Sequence, residues 1–318
     1  MEAINLVDLA KHFSDEESAQ DFLEQTRWPN GAACFRCGSV KVYRLQPKEE
    51  STKSRVALRL WKCGDCKKQF TVTTGTIFES SHIPLHKWLL AFHLLSSSKK
   101  GMSAHQLGRM LGLKSYRSAW FMAHRIRYAM GQPPLVDKLQ GIIEADETYI
   151  GGRESNRHAS KRTGKRGRGA AGKVPVFTMV ERGGRARSTM VANVTGKNLK
   201  GTIRKEVDSG AIIMTDSFPA YSGLQREFVD HLTVNHGDGE YVRGMVHTNT
   251  VENYFSILQR GIDGVYHHVS EKHLPRYLSE FDFRYNGRKL EDGERTVLAL
   301  KGAEGKRLTF AEPRSKGA

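Results

Sequence analysis

Long apolar runs are missing from this chain. The sequence holds no run of roughly 18 apolar residues, so no transmembrane helix and no membrane partner are expected. The first residues, "MEAINLVDLAKHFSDEE", carry no basic stretch followed by an apolar one, so no secretory signal is expected either. Cysteine is scarce. The four present are all used by the spacing described next, which leaves none for a disulfide framework and fits a reducing cytoplasm. Acid is short as well: 34 Asp and Glu face 50 Lys and Arg, a net charge of +16, with a pI near 9.7. Such an excess points to a polyanionic partner, most often nucleic acid. At 318 residues and 38% hydrophobic content, the chain is long enough for two or three domains and a sizeable core.

What cysteine there is falls in a pattern. Cys34 and Cys37 ("CFRC") are followed after 25 residues by Cys63 and Cys66 ("CGDC"). Two C-x2-C knuckles offer four thiolates to one tetrahedral Zn2+. Gly38 and Gly64 stand where the knuckles need tight turns, and "KVYRL" and "RVALRLWK" read as strands between them. A redox pair would need one knuckle beside a βαβ unit instead. The pattern predicts a zinc ribbon over 30–78. Its basic residues, among them Lys41, Arg44, Arg59 and Lys62, suit either DNA contact or a solvated face. Ahead of it, Ser14 with Glu17 three residues on predicts a capping box and a short acidic helix within 1–29.

After the ribbon, residues 84–98 have the pattern of an amphipathic helix. Two more helices follow around a turn at Gly112, the second starting near Ser115. This is helix-turn-helix grammar over 79–135. Arg117, Arg125 and Arg127 on the second helix suit phosphates or base edges, although ordinary helix packing produces the same spacing. His105 and His124 read as packing or surface residues.

From residue 141 the period changes. "GIIEADETYI", "VPVFTMVER" and "RSTMVANVT" read as strands, the last two a hairpin around Gly183-Gly184. "GKNLKGTIRKEV" reads as a helix, "AIIMTD" as a strand, "AYSGLQREF" as helical, "HLTVNH" as a strand and 248–262 as a helix. The order βββαβαβα predicts an α/β, RNase H-like mixed five-stranded sheet with flanking helices over 138–290, and 291–318 reads as a tail. In that layout the first and fourth strands are neighbours, so Asp146 and Asp216 converge. Val251, Phe255, Leu258 and Ile262 form one apolar stripe on the last helix, which leaves Glu252 leaning over the strand ends. Three converging carboxylates need a counter-charge, and Mg2+ (or Mn2+) supplies one. Two such ions about 3.5–4 Å apart can hold both oxygens of an in-line phosphoryl displacement. Glu144 and Asp146 share a strand face, with Glu147 on the other. Alternation alone does not choose between Glu144 and Asp146, although Asp146 is nearer the strand end.

These blocks resemble a known family. "CFRCG", "CGDCKKQFTVTTGTIFESS", "LHKW", "EADETYIGG", "TDSFPAY", "VHTNTVENYFSILQRGIDGVYHHVS" and "HLPRYLSEFDFRYNGR" are similar, in order, to the zinc-ribbon group of bacterial and archaeal insertion-sequence transposases of the DDE class. The resemblance implies an RNase H-like catalytic domain with two metal ions and N-terminal modules that bind transposon ends. Asp146 matches the first catalytic Asp, Asp216 the second and Glu252 the third acid. In many relatives Asn is the third ligand, and Asn249 matches that Asn. Relatives usually carry Lys where Gln259 stands here, which leaves Arg260 as the expected phosphate contact.

Residues 153–173 hold eight Lys or Arg against one acid. Lys161, Arg162, Lys165, Arg166 and Arg168 lie among Gly and Ala, a composition that cannot bury a core and suits a DNA-clamping arm. The expected function is a DNA transposase acting on transposon ends and target DNA, as a homodimer or larger assembly. Its rivals are a nuclease that cuts without strand transfer and a DNA-binding protein with a decayed catalytic domain.

Overall fold

The computed structural model describes residues 6–45, 59–131, 137–152, 158, 160 and 172–311. They form two units: one takes the described residues up to 98, 104–130 and 290–311, the other those of 99–103 and 131–289.

The first unit opens with α1 (Leu6–His12) and α2 (Glu16–Arg27). The cap of α2 is Asp15, not Ser14: its extended backbone lets the carboxylate accept from the Ser18 amide at 2.8 Å, the usual reach of an N-cap side chain. The ribbon strands β1 (Val42–Arg44), β2 (Trp61–Cys63) and β3 (Gln69–Phe70) pair antiparallel in that order. Helix α3 (Leu85–Ser97) buries Trp88, Leu89, Phe92 and Leu95 together with His93 and Ser96. It is covered almost all round, where the sequence pattern suggests one apolar face. Part of the cover is α9 (Asp292–Lys301), whose Thr296 hydroxyl lies 3.1 Å from His93 Nδ1. The segment read as a tail therefore carries a helix of the first unit's core, with Thr296, Ala299 and Leu300 buried.

Helices α4 (Ala104–Met110) and α5 (Tyr116–Met130) flank a turn in which Gly112 takes φ +60°, backbone that glycine adopts at little cost. Arg117 is exposed on the first turn of α5. Arg125 is not available to DNA as the sequence suggested. It is 5% exposed, stacks over Trp88 and Phe121, and donates to the Glu79 carbonyl at 2.7 Å. Burial pulls its pKa down to about 10. Arg127 is buried too. Both lie on the inward face of α5, where long aliphatic stems pack as apolar matter.

The second unit is a five-stranded sheet. β4 (Ile142–Ile150), β5 (Val174–Glu181) and β6 (Ala186–Met190) run antiparallel, and β7 (Ile212–Asp216) and β8 (Asp230–Val234) run parallel to β4, in the order β6-β5-β4-β7-β8. This is the expected RNase H-like arrangement. One face is covered by α6 (Gly196–Glu206) through Leu199 and Ile203, against Ile143, Ala145, Phe177 and Ile213. The other is covered by α7 (Asn249–Gly261) and α8 (Leu274–Asn286), which bring Val251, Phe255, Leu258 and Phe281 against Ile150, Val176 and Val180. Between β7 and β8 the expected helix is two short 3-10 turns, Pro219–Tyr221 and Leu224–Arg226, because a left-handed Gly223 at φ +94° breaks it between them. No helix among the described residues is long and apolar enough to cross a membrane.

Candidate active site

The β4–β7 ladder pairs Glu144 with Met214. Carried two residues further, the same register sets Asp146 level with Asp216 on adjacent strands, roughly 4.8 Å apart in backbone. Both side chains then project from the face that α7 covers. Asp146 is half-buried, and its own carboxylate accepts from the Glu147 amide at 2.7 Å. Burial pushes its pKa up to about 8, and the charges of Glu147, Asp216 and Glu252 add to the rise. Glu147 points to the opposite face, as alternation requires. Burial raises it as well, while the Tyr221 hydroxyl donates to it at 2.5 Å.

The first turn of α7 supplies Glu252 and Asn249, both exposed. Thr248 Oγ1 donates to Glu252 Oε1 at 3.0 Å, and His236 Nε2 stands 3.9 Å from the same oxygen. Thr248 is the N-cap residue of α7, yet its side chain makes no capping bond. That work falls to Glu144. Its carboxylate is fully buried and accepts from the amides of Thr250 at 2.7 Å and Val251 at 3.1 Å, and from the Thr250 hydroxyl at 2.8 Å. Arg182 Nε donates to it at 2.6 Å, and His247 Nδ1 lies 3.2 Å away. The other Arg182 nitrogens hold the carbonyls of Met245 and His247. Carboxylate and guanidinium together fasten the segment that leads into α7.

The strand alternatives left open by the sequence therefore separate. Glu144 caps a helix, whereas Asp146 is under the charges of Glu147, Asp216 and Glu252. Glu147, Tyr221, His236, Arg182 and His247 entered no sequence expectation as members of the site, because their partners lie far away along the chain. Gln259 Nε2 donates to Thr148 Oγ1 at 2.8 Å, so Gln259 ties α7 to β4 two positions from Asp146. Arg260 is exposed near the end of α7. Lys161, Arg162, Lys165, Arg166 and Arg168 lie outside the described residues.

The cysteines make a second centre. Among the described residues they alone bring three or more His, Cys, Asp or Glu ligand atoms within 4.8 Å of one another. Cys34 Sγ lies 3.6 Å from Cys66 Sγ, and Cys37 Sγ 3.6 Å from Cys63 Sγ. A tetrahedron of Zn–S bonds of about 2.3 Å has edges of about 3.8 Å, so the cluster fits zinc. The Cys66 amide donates to Cys63 Sγ and brings that thiol down to about 6, toward the thiolate a metal binds. Gly38 takes φ +71° after the first knuckle; the matching place after the second is Lys67, at φ +60°, and not Gly64. Gly64 serves another purpose: its amide donates to the Lys41 carbonyl at 2.7 Å, and a Cβ would sit 3.1 Å from that oxygen.

Comparison with known proteins matches both the sheet unit and the ribbon to known domains. Residues 138–286 match the family model of the ISXO2-like transposase domain, and residues 14–69 that of the transposase zinc-ribbon domain. A protein of Halobacterium salinarum, described as an uncharacterized protein in transposable element ISH50, is 33% identical over 285 residues, 86% of this chain and 92% of that one. An uncharacterized transposase-like protein of Haemophilus influenzae is 24% identical over 104 residues, 33% of this chain and 83% of its own. A chain from the simian T-cell lymphotropic virus intasome in complex with a PP2A regulatory subunit aligns over 59% of this chain and 66% of its own, at 17% identity and a TM-score of 0.29, too slight a likeness to bear on the fold. With its RNase H-like sheet, its four-cysteine ribbon and a relative matched over nearly its whole length, the chain belongs to the ISXO2-like family of DDE transposases.

Proposed function

We propose that the chain is an active DNA transposase, which cuts the phosphodiester at each element end and joins the freed 3′-hydroxyl to target DNA. The observation that carries this reading is Asp146, set by strand register level with Asp216, where burial first and then the charges of Glu147, Asp216 and Glu252 push its pKa up to about 8. Acids that repel one another from adjacent strands and a covering helix are the hard-oxygen donor set that Mg2+ or Mn2+ selects. Held by Asp146, Asp216 and Glu252, such ions would supply the charge neutralisation that a phosphoryl displacement needs. The chain's own residues prepare for this. Thr248 fixes the Glu252 carboxylate. Tyr221 keeps Glu147 turned to the far face. Asn249, one turn from Glu252 on the same side of α7, orients that acid or donates its amide to the scissile phosphate. A charged carboxylate offsets metal charge where a neutral amide does not, which favours Glu252 over Asn249 as the third ligand.

The four cysteines hold one structural zinc. Arg117 on α5, Arg260 and the basic segment 153–173 contact DNA phosphates. Two element ends must be held together for joining, so the working form is a homodimer or larger.

The test is a strand-cleavage and joining assay on end DNA, in Mg2+ and again in Mn2+. Asp146→Asn, Asp216→Asn and Glu252→Gln should each abolish cleavage and leave end binding almost unchanged, and Asn249→Ala should keep a measurable residue. Normal cleavage by Glu252→Gln together with a dead Asn249→Ala in both metals would transfer the third ligand to Asn249. Cutting of an isolated end without joining would make the chain a nuclease. End binding with no cleavage in either metal would make it a DNA-binding protein whose centre has decayed.

A further inference from the structure

Residues 99–103 join α3 to α4 in sequence but belong to the second unit. They lie along the C-terminal part of α7, and two glycines allow the close approach. Gly261 has no side chain where a Cβ would sit 2.7 Å from the Lys100 carbonyl and against the Phe281 ring. Gly101 takes φ +97°, and a Cβ there would run into the Tyr266 hydroxyl. The strap is thus seated on α7, and it presents Lys99 and Lys100.

Between strap and helix lies a groove of about 340 Å³, lined by Lys99, Lys100, Asn253, Ile257 and Arg260. It holds three cations, one amide and no acid. Both lysines and Arg260 are exposed, and none of the three is in an ion pair among the described residues. Arg260 is steered instead by Ser256, whose carbonyl accepts from its Nε at 3.0 Å. No aromatic ring lines the groove, so nothing there stacks a base. A cationic, ring-free groove takes backbone phosphate and does not read sequence.

We propose that this groove is a phosphate site for the substrate strand, and that the strap lysines, with Arg260, hold the DNA backbone a fixed distance from the reacting phosphodiester. The inference rests on the transposase reading. Asn249, Asn253, Ile257 and Arg260 follow one stripe of α7, from the acids to the groove. The eleven steps from Asn249 to Arg260 span roughly 16 Å at about 1.5 Å each. At about 3.4 Å per step along one strand, that is four to five nucleotides. Arg260 is expected on phosphate by resemblance. The strap's share, the fixed spacing and the lack of base selectivity come from the groove itself.

The test uses the full-length protein carrying Lys99→Gln and Lys100→Gln together, with Lys99→Arg and Lys100→Arg together as the charge-keeping control. Binding to element-end DNA is measured across a salt series. The Gln pair should weaken binding and flatten the slope of log K against log salt by about 0.9 for each phosphate no longer neutralised, while the Arg pair restores both. A single neutral methylphosphonate four to five nucleotides from the cleavage point should weaken binding by the wild type and make no difference to the Gln pair. An unchanged slope in the Gln pair, or interference that persists in it, overturns the proposal. Cleavage by the wild type is scored separately: a wild type that binds but does not cut fails the transposase reading, and the salt slope still decides the groove.

Discussion

Glu144 offers the sharpest quantitative test, because its role rests on geometry alone. Its fully buried carboxylate accepts from two α7 amides, one hydroxyl and Arg182. Glu144→Ala strands the amides of Thr250 and Val251 and leaves Arg182 without its counter-charge. Breaking a buried pair by removing one partner costs about 3–5 kcal/mol. For a unit of this size a loss of that order lowers Tm by about 6–20 °C. Glu144→Gln keeps an oxygen for the amides and loses the charge that Arg182 needs, so a loss of about 1.5–3 kcal/mol is expected, the worth of hydrogen bonds to a charged group. Scanning calorimetry of the two variants beside the wild type, with and without Mg2+, gives the answer. Two results would refute the reasoning. One is a Glu144→Ala protein that melts with the wild type. The other is a Glu144→Gln protein of unchanged Tm that has lost its stabilisation by Mg2+, which would make Glu144 a metal ligand and not a helix cap.

Other predictions concern the remaining charges and the ribbon. Asp146 has a folded pKa raised from the ordinary carboxylate range to about 8, so its contribution to stability is full below the unfolded value and is lost as pH climbs toward 8. Metal-free protein should therefore melt lower at pH 8.5 than at pH 6, Asp146→Asn should flatten that fall, and Mg2+ affinity should rise about tenfold per pH unit up to about pH 8. A metal-free Tm that climbs over this range in the wild type and not in the variant would contradict the shift. Metal analysis should find one zinc per chain, and Cys63→Ser should lose it and weaken end binding with the catalytic unit still folded; full thiol titration of folded protein with no zinc released would count against the centre. Neutralising Lys165, Arg166 and Arg168 together should weaken binding to end and random DNA alike, with a salt slope lower by about 0.9 per phosphate no longer neutralised. A selective loss for element ends would assign sequence reading to that segment.

Local patterns were legible in proportion to how local their physics is. The zinc knuckles follow from chelate geometry across two intervening residues, and their sulfurs lie where one ion could join them. Strand alternation separated Glu147 from Glu144 and Asp146. The stripe of Val251, Phe255, Leu258 and Ile262 named the buried face of α7. Even the RNase H-like sheet could be anticipated, because element order and right-handed crossover connections leave few topologies. Legibility fell where a residue's fate depends on distant chain. Arg117 and Arg125 look alike along α5. One is exposed, and the other is sealed against Trp88, Phe121 and the Glu79 carbonyl.

The "EADE" stretch marks the boundary. The sequence alone determined that several carboxylates fall within one largely apolar strand, and that their mutual repulsion needs an answer. Only the tertiary structure decided that the answers differ. Glu144 meets helix amides 106 and 107 residues away, Glu147 meets Tyr221 on the other face, and Asp146 is left under the charges of Asp216 and Glu252. The charges are written into the residues; their compensation comes from groups that contact them only when β4, β7 and α7 have packed. The cost of burying a charge depends on those contacts, and spacing along the chain does not encode them.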